Sequence, residues 1–341
     1  MDLVLEICDH YAFDTIWAHL VPLSPASSDS LQAAGSVVNA SAAPKVAGGL
    51  ALSKWADVFL PYSLPADMSS SPAFTPTPLI SAWPRDYVPR QLLSLILLTL
   101  VGIHVLYFLF AGISYKYIFD HNMMRHPRFL KNQVKLEIQC SLRSFPGMTM
   151  LTLPWFQAEV MGYSKLYKNV DEYGWFYLVA SVPLFLLFTD YCIYWVHRIL
   201  HHPMLYKTFH KPHHKWIIPT PFASHAFHPV DGYLQSVPYH LFIFLFPVHR
   251  TLYLVLFVLV NFWSIFIHDS DMITGHPLEN IINGPAHHTL HHLYFTVNYG
   301  QYFTWADRAG GSYRHPESSL DPALEIQPAP SQPPQAEKKL Q

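Results

Sequence analysis

Residues 173–202 read YGWFYLVASVPLFLLFTDYCIYWVHRILHH. The stretch 173–196 is apolar and runs straight into a histidine cluster formed by His197, His201 and His202. Asp190, Tyr194, His197 and His201 recur at i, i+4, i+7 and i+11, which places them on one face of a 3.6-period helix. A carboxylate, a phenol and two imidazoles therefore point the same way at a membrane boundary. Carboxylates within apolar spans are costly and are kept for function. The role expected for Asp190 is to accept a ring N–H and so fix a histidine tautomer. Direct metal ligation, or contact with interfacial water, are its other readings.

Working outward, further apolar runs flank this one. The chain has 341 residues, 51% hydrophobic and only 13% charged, against about 25% charged in soluble domains. Residues 91–115 hold no Asp, Glu, Lys or Arg, and 25 residues suffice to cross a hydrocarbon core of ~30 Å. His104 within them reads as a packed or helix-bonded side chain. Residues 144–163 form a shorter apolar run. Residues 233–267 are interrupted by Pro247, His249 and Arg250, which predicts a helical hairpin with arms near 233–247 and 251–267. The predicted fold is an all-α integral membrane protein with about four to five transmembrane or re-entrant helices.

Lys116, Arg125, Arg128, Lys131, Lys135 and Arg143 collect in the loop 116–143, which assigns that loop to the cytosol. Following the spans then puts residues 197–228 and 268–341 on the same cytosolic side, as a metal-binding cap. Residues 1–90 are predicted to be a luminal or interfacial segment, partly disordered. Residues 91–309 form the membrane-embedded domain and 310–341 a disordered cytosolic tail. Within the first segment, 50–60 reads as a short interfacial helix and Asn39-Ala40-Ser41 as a glycosylation sequon. Met1-Asp2-Leu3-Val4-Leu5-Glu6 is acidic where a cleavable signal would be basic. Lys338-Lys339-Leu340-Gln341 resembles a dilysine signal for the endoplasmic reticulum.

The chain carries 22 histidines, and 12 of them fall within 197–228 and 287–292. Such enrichment reads as metal binding. His197 and His201, with His202 adjacent, make HxxxHH. His210, His213 and His214 make HxxHH, as do His288, His291 and His292. Residues at i and i+3 of one helical turn can share an ion, while the adjacent third histidine reaches a second. Two such pieces and the HxxxH core supply eight imidazoles, a count suited to two metals. His268 is a further candidate, as are His225 and His228, of which at least one is expected to ligate. His287 is out of phase and is left out.

Cys8, Cys140 and Cys192 are too scattered for a disulfide framework, and no thiolate lies near the boxes, which excludes an iron–sulfur cluster. A structural zinc site needs only four ligands. Imidazole suits iron, copper, zinc and nickel alike, with the excess of histidine at a membrane face favouring redox iron. The net charge of -2 gives no basic surface for nucleic acid.

The boxes HxxxH, HxxHH and HxxHH at 197–201, 210–214 and 288–292 resemble those of the fatty acid hydroxylase/sterol desaturase superfamily. The stretches PTPFASHAFHPVDG at 219–232, NGPAHHT at 283–289 and NYGQYF at 298–303 resemble, more narrowly, its sterol C5-desaturases. The likeness covers roughly 90–315, and departs at Trp305-Ala306-Asp307-Arg308, where Trp and Asp would adjoin in the family. It implies two iron ions per chain and O2-dependent removal of hydrogen from C5 and then C6 of a Δ7-sterol. It also implies electrons from NAD(P)H through cytochrome b5 and its reductase, as separate proteins since the chain lacks an HPGG haem motif. Three rivals remain at this point: hydroxylation of a fatty acyl chain or sterol methyl group on the same scaffold, a bis-histidine haem carrier, and a His-rich metal transporter. The last would need polar residues at mid-membrane depth, where these runs are nearly bare.

Overall fold

The computed structural model describes residues 1–23 and 80–326. The Asn39 sequon, segment 50–60 and the Lys338-Lys339 terminus lie outside the described residues. The chain divides into two units, 1–98 and 99–341.

In the first unit, helical turns Asp2–Cys8, Asp9–Phe13 and Asp14–Leu20 follow one another. The buried guanidinium of Arg90 lies 2.9 Å from Asp9 and 2.5 Å from Asp14. A buried cation is tolerated only when paired in this way. Trp17 Nε1 donates to Ser94 Oγ at 3.1 Å. These contacts tie the N-terminal residues to the start of α1 (Val88–Tyr117).

Helix α1 contains the uncharged run 91–115, and α3 (Gly174–Leu200) contains the run that ends in His197. Both are long and apolar enough to cross a membrane. At 1.5 Å per residue, each exceeds the ~30 Å hydrocarbon core. The predicted hairpin is present as α4 (Pro229–Leu245) and α5 (Arg250–Phe266). Its turn is pinned by a short parallel pairing of Val248–His249 with Leu166–Tyr167. Among the described residues only two helices meet both length and apolarity, while α5 is apolar but has 17 residues.

Helix α2 (Gln133–Val160) starts eleven residues before the expected 144, inside the basic loop. Lys135, Glu137 and Arg143 are good helix formers, so charge marks the edge of the apolar run without ending the helix. Glu137 is fully buried there. It accepts from Gln133 Nε2 at 2.7 Å and from the Thr220 backbone N–H and hydroxyl. Tyr107 and Ser141 hydroxyls both donate to the Phe222 carbonyl, at 2.9 and 3.3 Å. The loop 216–228 is therefore clamped to α1 and α2. Tyr107, Phe145, Phe222 and Ile265 fill the space behind it. A second core of Phe185, Phe242, Tyr253 and Val260 packs α3, α4 and α5 together. The histidine boxes sit on the ends of these elements and on a short helix α6 (Pro285–Tyr294).

Candidate metal centre

Nine imidazoles converge in two groups. The first comprises His197, His201, His210, His214 and His291; the second, His213, His268, His288 and His292. Within each group one ligand atom per residue lies within 4.8 Å of every other. All but His201 are buried. The groups are neighbours: the rings of His214 and His292 are 4.9 Å apart.

In the first group, His197 Nε2 is 3.2 Å from His210 Nε2, and His214 Nε2 is 3.1 Å from those of His201, His210 and His291. In the second, His288 Nε2 is 2.9 Å from His268 Nε2 and 3.2 Å from His292 Nε2. An ion with imidazole nitrogens at about 2.1 Å holds them about 3.0–3.4 Å apart, so both groups have the spacing of ligands around one ion.

The outer nitrogens identify what the inner ones carry. His197 Nδ1 donates to the Tyr299 carbonyl, His291 Nδ1 to Val297, His292 Nδ1 to Trp216 and His268 Nδ1 to Ser264. His210 Nδ1 donates to the Asp231 carboxylate at 2.8 Å. With Nδ1 protonated, a neutral ring presents a bare Nε2 lone pair. Burial first, then neighbouring imidazoles, holds His213, His214, His288, His291 and His292 well below the ordinary imidazole pKa. Burial lowers His268 to about 4. These six rings are neutral at physiological pH, and the Nε2 atoms of His268 and His292 both face that of His288. A cation in each group turns the repulsion between facing lone pairs into attraction, so the residues present fit two metal ions.

Of the twelve histidines expected around the metals, three stand apart from both groups. His202 is exposed, its Nδ1 accepting the Met204 N–H at the start of a helical turn. His228 caps α4 in the same way through Val230 N–H. His225 is buried against Ser224. The pairing within the boxes also differs from the i, i+3 expectation. His210 and His214 share the first group while His213 joins the second; His288 and His292 share the second while His291 joins the first. Four residues on a helix turn 400°, only about 40° past a full circle, whereas three fall about 60° short. The i, i+4 pair thus faces one ion more squarely, and the residue between them faces the other.

Asp190 meets no histidine. Its Oδ1 accepts the backbone N–H groups of Gln301, Tyr302 and Phe303. Asp307 continues the pattern, accepting from the N–H groups of Tyr299 and Gly300 at 2.8 Å each. Two carboxylates therefore hold five successive amides, and the Tyr299 carbonyl of that segment receives His197. A Cβ on Gly300 would come within 2.6 Å of the Phe303 carbonyl and 2.9 Å of Asp307 Oδ2. The histidine-orienting carboxylate is instead Asp231, which helical periodicity does not single out. Composition does carry a signal for it: Asp231 is the only Asp or Glu between Asp190 and Asp269.

Residues 182–312 match the fatty acid hydroxylase family. The chain is 48% identical to a Δ(7)-sterol 5(6)-desaturase of Gibberella zeae over 325 residues, 95% of this chain and 93% of the relative. The chain belongs to the fatty acid hydroxylase family, among its sterol 5(6)-desaturase-like members. It is also 53% identical to the lathosterol oxidase of Homo sapiens over 247 residues, 72% of this chain and 83% of that one. A Δ(7)-sterol 5(6)-desaturase of Schizosaccharomyces pombe is 54% identical over 69% of this chain and 77% of its own length. No solved structure matches the chain. The region matched as fatty acid hydroxylase runs from α3 to Ser312 and contains all nine converging histidines, Asp231 and both carboxylates of the 299–303 segment.

A cavity adjoins both groups on the side of α4 and α5. Its walls include His197, His213, His268 and His288 together with Ile193, Phe227, Val260 and Asn261. Apolar and polar walls beside a metal-binding cluster are what a site for an amphipathic small molecule requires.

Proposed function

We propose that this protein introduces the C5 double bond into a Δ7-sterol, using O2 and two iron ions held by the nine converging histidines. The observation that carries this reading is their convergence, with bare Nε2 atoms facing one another, in a chain about half identical to Δ(7)-sterol 5(6)-desaturases. Bound iron would supply the O2-dependent removal of hydrogen from an unactivated C–H bond, chemistry that no side chain performs. The protein's own residues fix its surroundings. Asp231 and the carbonyls of Trp216, Ser264, Val297 and Tyr299 set the histidine tautomers. Burial of eight of the nine rings keeps water out. Asp190 and Asp307 hold the 299–303 segment against α3.

Electrons are assigned to cytochrome b5 and its NAD(P)H-dependent reductase. Between Asp190 and Asp231 the chain has no carboxylate but carries Arg198, Lys207, Lys211 and Lys215, the three lysines exposed. His201, the one ring that is not fully buried, opens beside Arg198 onto a surface groove. An acidic donor protein would be drawn to such a face. The location assigned is the endoplasmic reticulum membrane, with α1 and α3 crossing it, α2 and the α4–α5 hairpin embedded, and the histidine boxes and C-terminus cytosolic. The basic residues of the α1–α2 connection support that orientation.

Expression in a yeast strain lacking its own sterol C5-desaturase tests the activity. Sterol analysis by mass spectrometry should show Δ5,7-dienes replacing the accumulated Δ7-sterols. Hydroxylated Δ7-sterols without any diene, at normal protein abundance, would favour the hydroxylase reading instead.

A further inference from the structure

His225 lies outside both histidine groups yet lines the cavity beside them. Its Nδ1 is 3.0 Å from Ser224 Oγ, and the Ser224 hydroxyl donates to the Pro221 carbonyl at 2.9 Å. With its proton committed there, Ser224 can only accept from the ring. His225 Nδ1 is therefore the protonated nitrogen and Nε2 carries the lone pair. Burial lowers the imidazole pKa to about 4, so the ring is neutral. The side chain of Asn261 lies next to the ring on the wall of the same cavity. Phe227, Tyr107 and Phe145 enclose it at ring separations of 5.9, 5.5 and 6.0 Å.

Asn261 is an amide in the apolar sequence LVLFVLVNFW of α5. One N–H is satisfied by the Phe257 carbonyl at 2.7 Å. Its second N–H and its carbonyl oxygen have no backbone partner, and a polar group at that depth is costly without one. Three other polar side chains of the cavity are committed: Gln235 donates to Asp231, Ser236 to the Tyr233 carbonyl, and Tyr239 pairs with Tyr302. His225 and Asn261 thus offer an acceptor and a donor side by side, next to the metal-facing histidines.

A Δ7-sterol has one polar group, the 3β-hydroxyl, and its carbon is separated from C5 by a single ring carbon. Any site that removes hydrogen at C5 must therefore bring that hydroxyl close to the metals. We propose that His225 and Asn261 bind the sterol 3β-hydroxyl, His225 Nε2 accepting its proton and the Asn261 amide donating to its oxygen. This rests on the sterol reading above. The cavity, about 90 Å³, is smaller than the ~150 Å³ that holds a benzene ring, so the sterol ring widens it by displacing side chains. Met148, which lines it, is flexible enough to yield. Alignment of C5 toward the metals is then set by a polar contact at one end of the molecule rather than by the shape of its hydrocarbon.

The test uses the iron-loaded full-length protein in nanodiscs, with lathosterol and its 3-deoxy analogue as probes in both equilibrium binding and turnover. The unsubstituted protein should prefer lathosterol by about tenfold or more. Asn261→Leu and His225→Phe should bind lathosterol about tenfold more weakly, bind the deoxy compound as before, and so lose the preference. Retention of the full preference in Asn261→Leu, or equal weakening toward both sterols, would overturn the assignment. If His225→Phe fails to accumulate, Asn261→Leu decides alone. No desaturation of lathosterol by the unsubstituted protein would overturn the underlying activity instead, which separates the two failures.

Discussion

His291→Ala is expected to abolish C5 desaturation, by at least 100-fold, while the protein still accumulates in the membrane. His291 reaches the first histidine group from α6, its Nε2 lying 3.1 Å from His214 and 3.3 Å from His201. Its Nδ1 is fixed by the Val297 carbonyl at 2.7 Å. Removing the ring deletes one of five nitrogens around the first ion and opens a coordination position to water or a stray ligand. The two helices long and apolar enough to cross a membrane do not rest on it: α1 and α3 are held by Tyr107, Phe145, Phe185 and Phe242, far along the chain from α6. His315→Ala is the control, because His315 belongs to neither group and its side chain is 44% exposed beside Glu279. Cells carrying His291→Ala should accumulate Δ7-sterols and the control should not. Normal diene levels at equal abundance would remove His291 from the site.

Asp231→Asn is expected to lower activity by about 10- to 100-fold, the usual effect of removing a carboxylate that orients a metal-ligating histidine. Asp231 is fully buried; its Oδ2 accepts from His210 Nδ1 at 2.8 Å and its Oδ1 from Gln235 Nε2 at 2.7 Å. An amide can satisfy only one of these donors as an acceptor. If its NH2 group faces the ring, His210 must move its proton to Nε2, where it points at His197 and His214 and not at an ion. The readout is activity and iron per unit of folded protein. A residue serving the fold alone would reduce abundance and leave both ratios unchanged.

These two residues also mark how far the sequence can be read. Helices α1 and α3 are legible because an uncharged apolar run of such length buries itself in a bilayer more readily than in a water-soluble core. The α4–α5 hairpin is legible because Pro247, His249 and Arg250 break a continuous run. The start of α2 is not, since apolarity locates the membrane-facing part of a helix and says nothing about the charged turns before it. The boxes disclose that histidines gather, but not their division: which ring faces which ion depends on the local phase of short helical turns and on where α6 docks. His225 and His228 sit at the same i, i+3 spacing as true box residues, and only the loop's clamping by Glu137, Tyr107 and Ser141 turns them elsewhere. Asp190 stands out because a carboxylate in an apolar helix is conspicuous. Its partners are backbone amides 111 to 113 residues away, which no periodicity reports. Asp231 is less conspicuous, yet it orients a histidine.

Metal analysis of purified, catalytically active protein tests the central claim most directly. Elemental mass spectrometry on protein whose Δ7-sterol desaturation has been verified should find two iron ions per chain, one for each group of histidines. One ion or none per chain in active protein, or a metal other than iron, would contradict the account.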